Sequence, residues 1–307
     1  MTADLPSSEP TPELASPSTA ETRSDGRTPQ RRGRGTQHVF VVARTEHLTP
    51  HLVRVHLGGD AFDAFTSEAD PAKLATTDKY VKLLLARREL GLVPPYDLDA
   101  LREQLAPADM PVRRTYTVRA VDVEARTIAV DFVVHGDEGI AGPWAASAAP
   151  GDLIALSGPG GMFTPNADVD QLLLGDESAL PAIAAALENL APDARGRAIL
   201  EVGAASDELA LAAPRGIRIT WLHRAPSRAA AGTLLAAAVR ELPRPSAAVQ
   251  VFAHGERSAM KAIGAVLRDG WGLDRSELSL SAYWALGRAE DTFQAEKREP
   301  VGAIFTD

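Results

Sequence analysis

The chain has 307 residues, 45% hydrophobic and 24% charged, with a net charge of −9 at neutral pH. That length accommodates two globular domains, and the acidity argues against the basic face that nucleic-acid binding normally requires. Cysteine is absent, which removes disulfides, thiolate-bound iron–sulfur clusters and cysteine zinc sites together.

Residues 1–35 are rich in Pro, Ser, Thr, Glu and Arg and nearly free of large apolar side chains. Such a segment cannot bury enough surface to offset its ordering entropy, so a disordered tail is expected. Its start, Met1-Thr2-Ala3-Asp4-Leu5-Pro6, lacks the apolar core of a secretory signal. Arg31-Arg32 is followed by Gly33-Arg34-Gly35 rather than by a hydrophobic run. No segment approaches the roughly 20 apolar residues needed to span a bilayer. The expectation is a cytoplasmic protein with no membrane insertion.

From Thr36 short alternating runs begin: 38–43, 51–57, 79–85, 115–120, 127–134 and 152–156, separated by Gly, Pro and Asp. Six such strands predict a small antiparallel barrel over 36–165. The insertion Pro94–Met110 reads as a loop carrying one short helix. After Pro165 the rhythm changes. Buried-strand runs at 171–174, 198–202, 217–222, 249–253 and 278–284 alternate with helical runs at 181–190, 233–242 and 257–268. This predicts a parallel α/β domain over 166–307. Pro181 suits the first turn of its helix, and Gly270 is read as the stop of the last one.

Two segments carry chemistry. Arg113-Arg114-Thr115-Tyr116-Thr117-Val118-Arg119 puts a cation, a ring and a hydroxyl on one strand, with Arg114 and Tyr116 on one face and Thr117 on the other. A strand later, His135-Gly136-Asp137-Glu138-Gly139-Ile140-Ala141-Gly142-Pro143-Trp144 is a Gly-rich turn whose N–H groups can approach a phosphate. Together they read as a flavin site, with the isoalloxazine on Tyr116 and the diphosphate between Arg114 and the Gly139–Gly142 turn. Tyr116 alone reads equally well as a barrel-surface aromatic, and Arg113 and Arg119 as solvated charges. Asp176-Glu177-Ser178-Ala179 sits at a strand-to-helix turn, where acids and Ser also serve as caps and where open α/β sheets bind ligands. Arg224 reads equally as a ligand of an NADPH 2′-phosphate or as a surface charge. Lys82 could steady an anionic substrate or be an edge-strand charge. The seven histidines are dispersed, so no protein-bound catalytic metal is expected, and no G-x-S-x-G surrounds Ser178 or Ser258.

Four segments resemble a known family: 114–119; 131–136 with the Gly-rich turn; Leu174–Pro181; and Ala282-Tyr283-Trp284 with Gly287-Arg288. The chain resembles the siderophore-interacting proteins, flavin-dependent ferric-siderophore reductases of the ferredoxin–NADP reductase-like superfamily. The resemblance spans about Gln37 to Arg288. It implies an FAD-binding barrel followed by an NADPH- or NADH-binding domain. Arg114 would bind the diphosphate, Tyr116 stack on the ring and Thr117 reach flavin N5. Val133, His135 and Asp137 would border the adenine side, and Gly139, Ala141, Gly142 and Trp144 the phosphates. Asp176, Glu177, Ser178, Ala179, Tyr283 and Trp284 would frame the nicotinamide, and Lys82 the ferric siderophore. Departures from the family pattern are Ile140, Pro143, Ala282 and His254-Gly255-Glu256. The implied reaction passes hydride from NAD(P)H to FAD and single electrons to siderophore-bound Fe(III). Two alternatives stand beside it: a flavin reductase exchanging electrons with a protein such as ferredoxin, and a non-enzymatic flavin or siderophore binder.

Overall fold

Period-two alternation in the first half of the chain closes six antiparallel strands into a barrel. The computed structural model describes residues 36–136 and 139–305; the tail read at 1–35 lies outside them. The strands are β1 (His38–Thr49), β2 (Leu52–Gly58), β3 (Tyr80–Leu85), β4 (Val112–Asp122), β5 (Thr127–Val133) and β6 (Leu153–Gly160), in the order β1-β2-β5-β4-β3-β6. Alternate side chains fill the interior: Phe40 and Val42, Val53, Val55 and Leu57, Val81 and Leu83, Ile128, Val130 and Phe132. β1 is twice the length its apolar run suggests. Its first residues pair with β6 and the rest with β2, and register shifts after Val42 and His47 bend it between the two. Such irregularities let one strand turn a barrel corner.

Helices outside the expected set complete this half. Phe62 and Phe65 of α1 (Ala61–Glu68) are buried, and Phe65 meets Phe40 edge-on at 5.6 Å. The short α2 (Pro71–Ala75) is capped by Asp70, whose side chain accepts from the Ala72 N–H. The insertion holds one short α-helix, α3 (Leu98–Gln104), and with Tyr96 it covers Leu84 and Ala155 on the barrel's outer face. The Gly-rich turn runs into α4 (Ala141–Ala146).

The second half is a parallel sheet of β7 (Asp170–Gly175), β8 (Arg195–Val202), β9 (Gly216–His223), β10 (Val249–Glu256) and β11 (Leu278–Trp284), ordered β11-β10-β7-β8-β9. Its strands are apolar on both faces because both are covered. Leu173, Leu200 and Phe252 pack under α5 (Leu180–Glu188), while Leu172, Leu174, Ile199 and Val251 pack under α6 (Thr233–Arg240) and α7 (Arg257–Ala265). Pro181 lies in the first turn of α5. Gly270 is not the stop of α7. The helix widens into a π-turn over Val266–Gly270, and the left-handed residue is Gly272, at φ 66°. A further helix, α8 (Glu290–Glu296), anchors through buried Phe293 against Ala282 and Ala285.

The barrel and the sheet meet through charge pairs. Arg119 is not a solvated charge: its guanidinium forks onto Glu188 at the end of α5. His51, in the β1–β2 turn, pairs with buried Asp207 at 2.7 Å. Within the barrel, Arg54 and Asp131 face each other in register on β2 and β5, with a two-point contact of 2.6 and 2.8 Å. The Asp131 side chain is wholly buried. Removing one partner of such a pair leaves an uncompensated charge and costs about 3 kcal/mol. Arg54→Met is therefore expected to lower the urea midpoint by that equivalent. The double change Arg54→Met with Asp131→Leu should recover a good part of it, as read from paired denaturation curves.

Candidate active site

β4 carries the chemistry of the barrel. Its register sets Arg114 opposite Leu83 and Tyr116 opposite Val81, both core residues, and Thr117 opposite exposed Tyr80. Directly opposed residues share a face, so Arg114 and Tyr116 lie on one side and Thr117 on the other, as alternation predicts. The half-buried Tyr116 ring rests on Phe132 at 4.4 Å, and Phe132 lies 5.6 Å from Trp144. This run of rings joins β4, β5 and α4. Burial pushes the Tyr116 phenol up, Glu290 adds to that and Arg114 opposes it, so the ring is neutral. Arg114 donates to both oxygens of Asp291 on α8, at 2.9 and 3.1 Å.

Thr117 is buried, and its hydroxyl neighbours the phenol of Tyr283 at the end of β11. Burial, followed by the charge of Asp78, holds that phenol well above its ordinary range. The barrel strand and the last strand of the sheet thus touch at the residue expected to face the reacting edge. Asp78 itself ties down the loop after β6, accepting from the Met162 and Phe163 N–H groups at 2.8 Å each.

The Gly-rich turn divides in two. His135, Gly136 and Gly139 are exposed, and both glycines have positive φ, 55° and 80°, which side chains disfavour. A Cβ on Gly142 would come 3.4 Å from the Val133 carbonyl oxygen, so α4 starts hard against the end of β5. Ala141 and Trp144 are buried in the barrel core. They support the turn from behind and do not face outward. Val133 is half-buried, and Asp137 lies outside the described residues. An anionic dinucleotide fits these donors. Arg114 already carries a carboxylate counter-ion, and the exposed glycines offer bare backbone.

At the carboxyl edge of the sheet, Asp176 is buried and accepts four hydrogen bonds. The Ser178 N–H and hydroxyl donate to one oxygen, at 2.9 and 2.5 Å; the Glu256 N–H and the Trp284 indole donate to the other, at 2.8 Å each. Gly255 makes this possible, since a Cβ there would lie 2.6 Å from the carboxylate. Asp176, Ser178 and Trp284 are therefore brought together, but as a structural knot whose carboxylate faces the protein. Ala179 is fully buried beneath the turn. Arg224 is not free: it forks onto Glu177 and reaches Glu201 at 3.3 Å. Lys82 is exposed, opposite Thr115 and two positions from Tyr80.

Several residues of this region carry no local signal. Asp291 lies 177 residues from Arg114, and only tertiary folding pairs them. Tyr80 comes opposite Thr117 only through the pairing of β3 with β4. His254 is buried, stacked on Phe252 at 3.9 Å and edge-on to Tyr283 at 4.8 Å. Its Nε2 meets the Ser279 hydroxyl, its Nδ1 has no partner, and burial pushes it down to about 3, so it is neutral.

Two family models match the chain: a siderophore-interacting FAD-binding domain over residues 41–163 and a siderophore-interacting protein model over 169–287. The ferric vibriobactin reductase ViuB of Vibrio cholerae is 30% identical over 267 residues, covering 85% of this chain and 94% of that protein. The chain belongs to the siderophore-interacting protein family. An uncharacterised protein of Mycobacterium tuberculosis is 44% identical, covering 85% of this chain and 95% of its own length. The crystal structure of a siderophore utilization protein from T. fusca superposes with a TM-score of 0.70 at 36% identity, over 83% of this chain and 94% of that one. In family terms, the six-stranded barrel is the FAD-binding part and the parallel sheet the part that follows it.

Burial raises Asp176 to about 6 from an ordinary 3.8, against the pull of its Ser178 and Trp284 donors. The native state then holds this proton more tightly than the unfolded chain, so the group's contribution is greatest at low pH and is lost as pH rises through about 6. The parent should therefore lose stability relative to Asp176→Asn between about pH 4 and pH 6. Urea midpoints of both proteins across that window check the trend; a constant gap contradicts it.

Proposed function

We propose that this protein is an FAD-dependent reductase that takes electrons from a nicotinamide nucleotide and delivers them to Fe(III) held in a siderophore. The carrying observation is the contact of Thr117 on the barrel with Tyr283 on the sheet. It puts the strand expected to hold the flavin against the carboxyl edge where α/β sheets bind nucleotides. The name of the ViuB relative, a ferric vibriobactin reductase, supports the substrate class. FAD, when bound, supplies the conversion of a two-electron hydride into single electrons that ferric iron can accept.

The chain's own residues divide the remaining work. Arg114 and the bare backbone at Gly139 and Gly142 bind the anionic diphosphate. Tyr116 offers a neutral ring that Phe132 holds at a fixed tilt. Thr117 Oγ1 is the hydroxyl at the reacting edge, with the Tyr283 phenol beside it. The Asp176 knot fixes Trp284 and the turn after β10, so the nicotinamide side is rigid before anything binds. Exposed Lys82, with Tyr80 beside it, offers a cation and a ring to an anionic chelate in a protein whose net charge is −9.

The purified protein is expected to release FAD, not FMN, on denaturation, identified by chromatography. Arg114→Ala should weaken FAD by one to two decades in a fluorescence titration, since a charge-assisted phosphate contact contributes about 1.5–3 kcal/mol. Affinity equal to the parent's would remove Arg114 from the site. For Lys82→Ala, stopped-flow traces should show slower re-oxidation by an anionic ferric chelate, by a few-fold and less at high salt, with flavin bleaching by nucleotide unaffected. Equal re-oxidation by anionic and neutral chelates in both proteins would count against a role for Lys82.

A further inference from the structure

The turn after β7 and the turn after β9 are bridged by an ion pair, and the bridge crosses the end of β8. Glu177 in the first turn takes both Nη groups of Arg224 in the second, and Arg224 Nη1 also reaches Glu201, on β8, at 3.3 Å. Beside the bridge lies Gly203. A Cβ there would sit 3.7 Å from Arg224 Nη2, 3.8 Å from Glu177 Oε1 and 2.9 Å from Asp207 Oδ2. Past the end of β8, Gly203-Ala204-Ala205 is thus a bend of small residues bordered by carboxylates.

Charge at this corner is one-sided. Glu177, Glu201 and Asp207 stand against a single guanidinium. Glu201 is 0% exposed and cannot swing away, because it also accepts from the Gly232 and Leu235 N–H groups at 2.7 and 2.8 Å and so caps α6. The nearby histidines are already placed on acids, His51 on Asp207 and His223 on Glu208. Burial works against the Arg224 charge, yet its two carboxylates hold it above its usual range.

In sheets with the Gly-rich dinucleotide fingerprint an acid about 20 residues further on accepts from the ribose 2′-hydroxyl of NAD, whereas a nearby arginine accommodates the 2′-phosphate of NADP. Here the carboxylate that leans over the end of the second strand, by Gly203, is Glu177 from the turn after β7. We infer that Glu177, held in place by Arg224, selects a nicotinamide nucleotide with a free ribose 2′-hydroxyl and repels one with a 2′-phosphate. Arg224 is then a positioning residue for Glu177 and does not bind phosphate. A phosphomonoester carries about −1.5 to −2 charges at neutral pH. It would have to break the Arg224 fork and enter beside three carboxylates. A hydroxyl needs only an acceptor, which the partly exposed Glu177 carboxylate provides. The inference rests on the reading of a nicotinamide donor given above.

The test compares the parent holoprotein with Glu177→Gln, Glu177→Asp and Arg224→Lys. Flavin bleaching by NADH and by NADPH is followed in stopped flow, and binding of 5′-AMP and of 2′,5′-ADP is measured by calorimetry. The parent should favour NADH by at least tenfold in kred/Kd and bind 2′,5′-ADP no better than 5′-AMP. Glu177→Gln should cut the NADH preference about tenfold and tighten 2′,5′-ADP, while Glu177→Asp keeps the preference. Arg224→Lys should not weaken 2′,5′-ADP; a selective loss there would make Arg224 a phosphate ligand and overturn the inference, as would a parent that prefers NADPH. An unchanged ratio in a Glu177→Gln protein that melts like the parent would also overturn it. Bleaching by neither nucleotide would instead fail the nicotinamide reading, and the inference with it.

Discussion

The carboxylate of Asp176 is the fixed point on which the reacting side of this protein depends. It sits where the order of the parallel strands reverses, between β7 and β10, the position at which an open sheet leaves a crevice for a ligand. Its donors come from three strand ends: the turn after β7, the last residue of β10 and the last residue of β11. A buried carboxylate is tolerated only when its acceptor sites are filled, and here two on each oxygen are. The floor of the crevice is therefore set by an interaction internal to the protein. Trp284 and Tyr283 leave that floor in fixed directions, which brings the Tyr283 phenol to Thr117. On the reacting side, barrel and sheet are tuned to each other through this chain of contacts.

Ion pairs carry much of the remaining organisation, and they are of two kinds. Arg54–Asp131 is in register across two neighbouring strands and belongs to the barrel wall. Arg119–Glu188 and His51–Asp207 cross from the barrel to the sheet, and Arg114–Asp291 crosses from the barrel to α8. The second kind fixes the relation of the surfaces between which a nucleotide and a flavin would be handled. Glu201 belongs to neither kind: it works within the sheet half, where one buried carboxylate caps α6 and touches Arg224.

How much of this could be read from the sequence follows from the range of the forces involved. All eleven strands of the described residues announce themselves, because burial on one face or two imposes period two or an unbroken apolar run. β11 runs over Leu278–Trp284 in both readings. The opposite orientation of Tyr116 and Thr117 is equally local. The short helices α1, α2 and α4 were hidden: five to eight residues give too little periodicity, and α4 begins inside a Gly-rich turn. The roles of Arg119 and Arg224 were hidden for another reason. Whether an arginine is solvated, paired or free for a phosphate depends on acids 69 and 47 residues away, and spacing along the chain does not register that. Trp144 plugs the barrel behind the turn, and a sequence does not separate such packing from binding.

The fork between Arg114 and Asp291 has a consequence for what else can occupy that spot. A guanidinium left open to solvent would collect whatever small anion the cell holds in excess. With Asp291 in place, a newcomer must displace a partner that is covalently part of the same molecule and present at high effective concentration. A monovalent ion gains little from that exchange. A diphosphate arriving at Arg114 with further contacts along the Gly-rich turn would have to outcompete that pair, while α8 keeps its anchor through Phe293. The resident carboxylate thus sets a threshold that a simple anion would have to exceed before it could pair with Arg114.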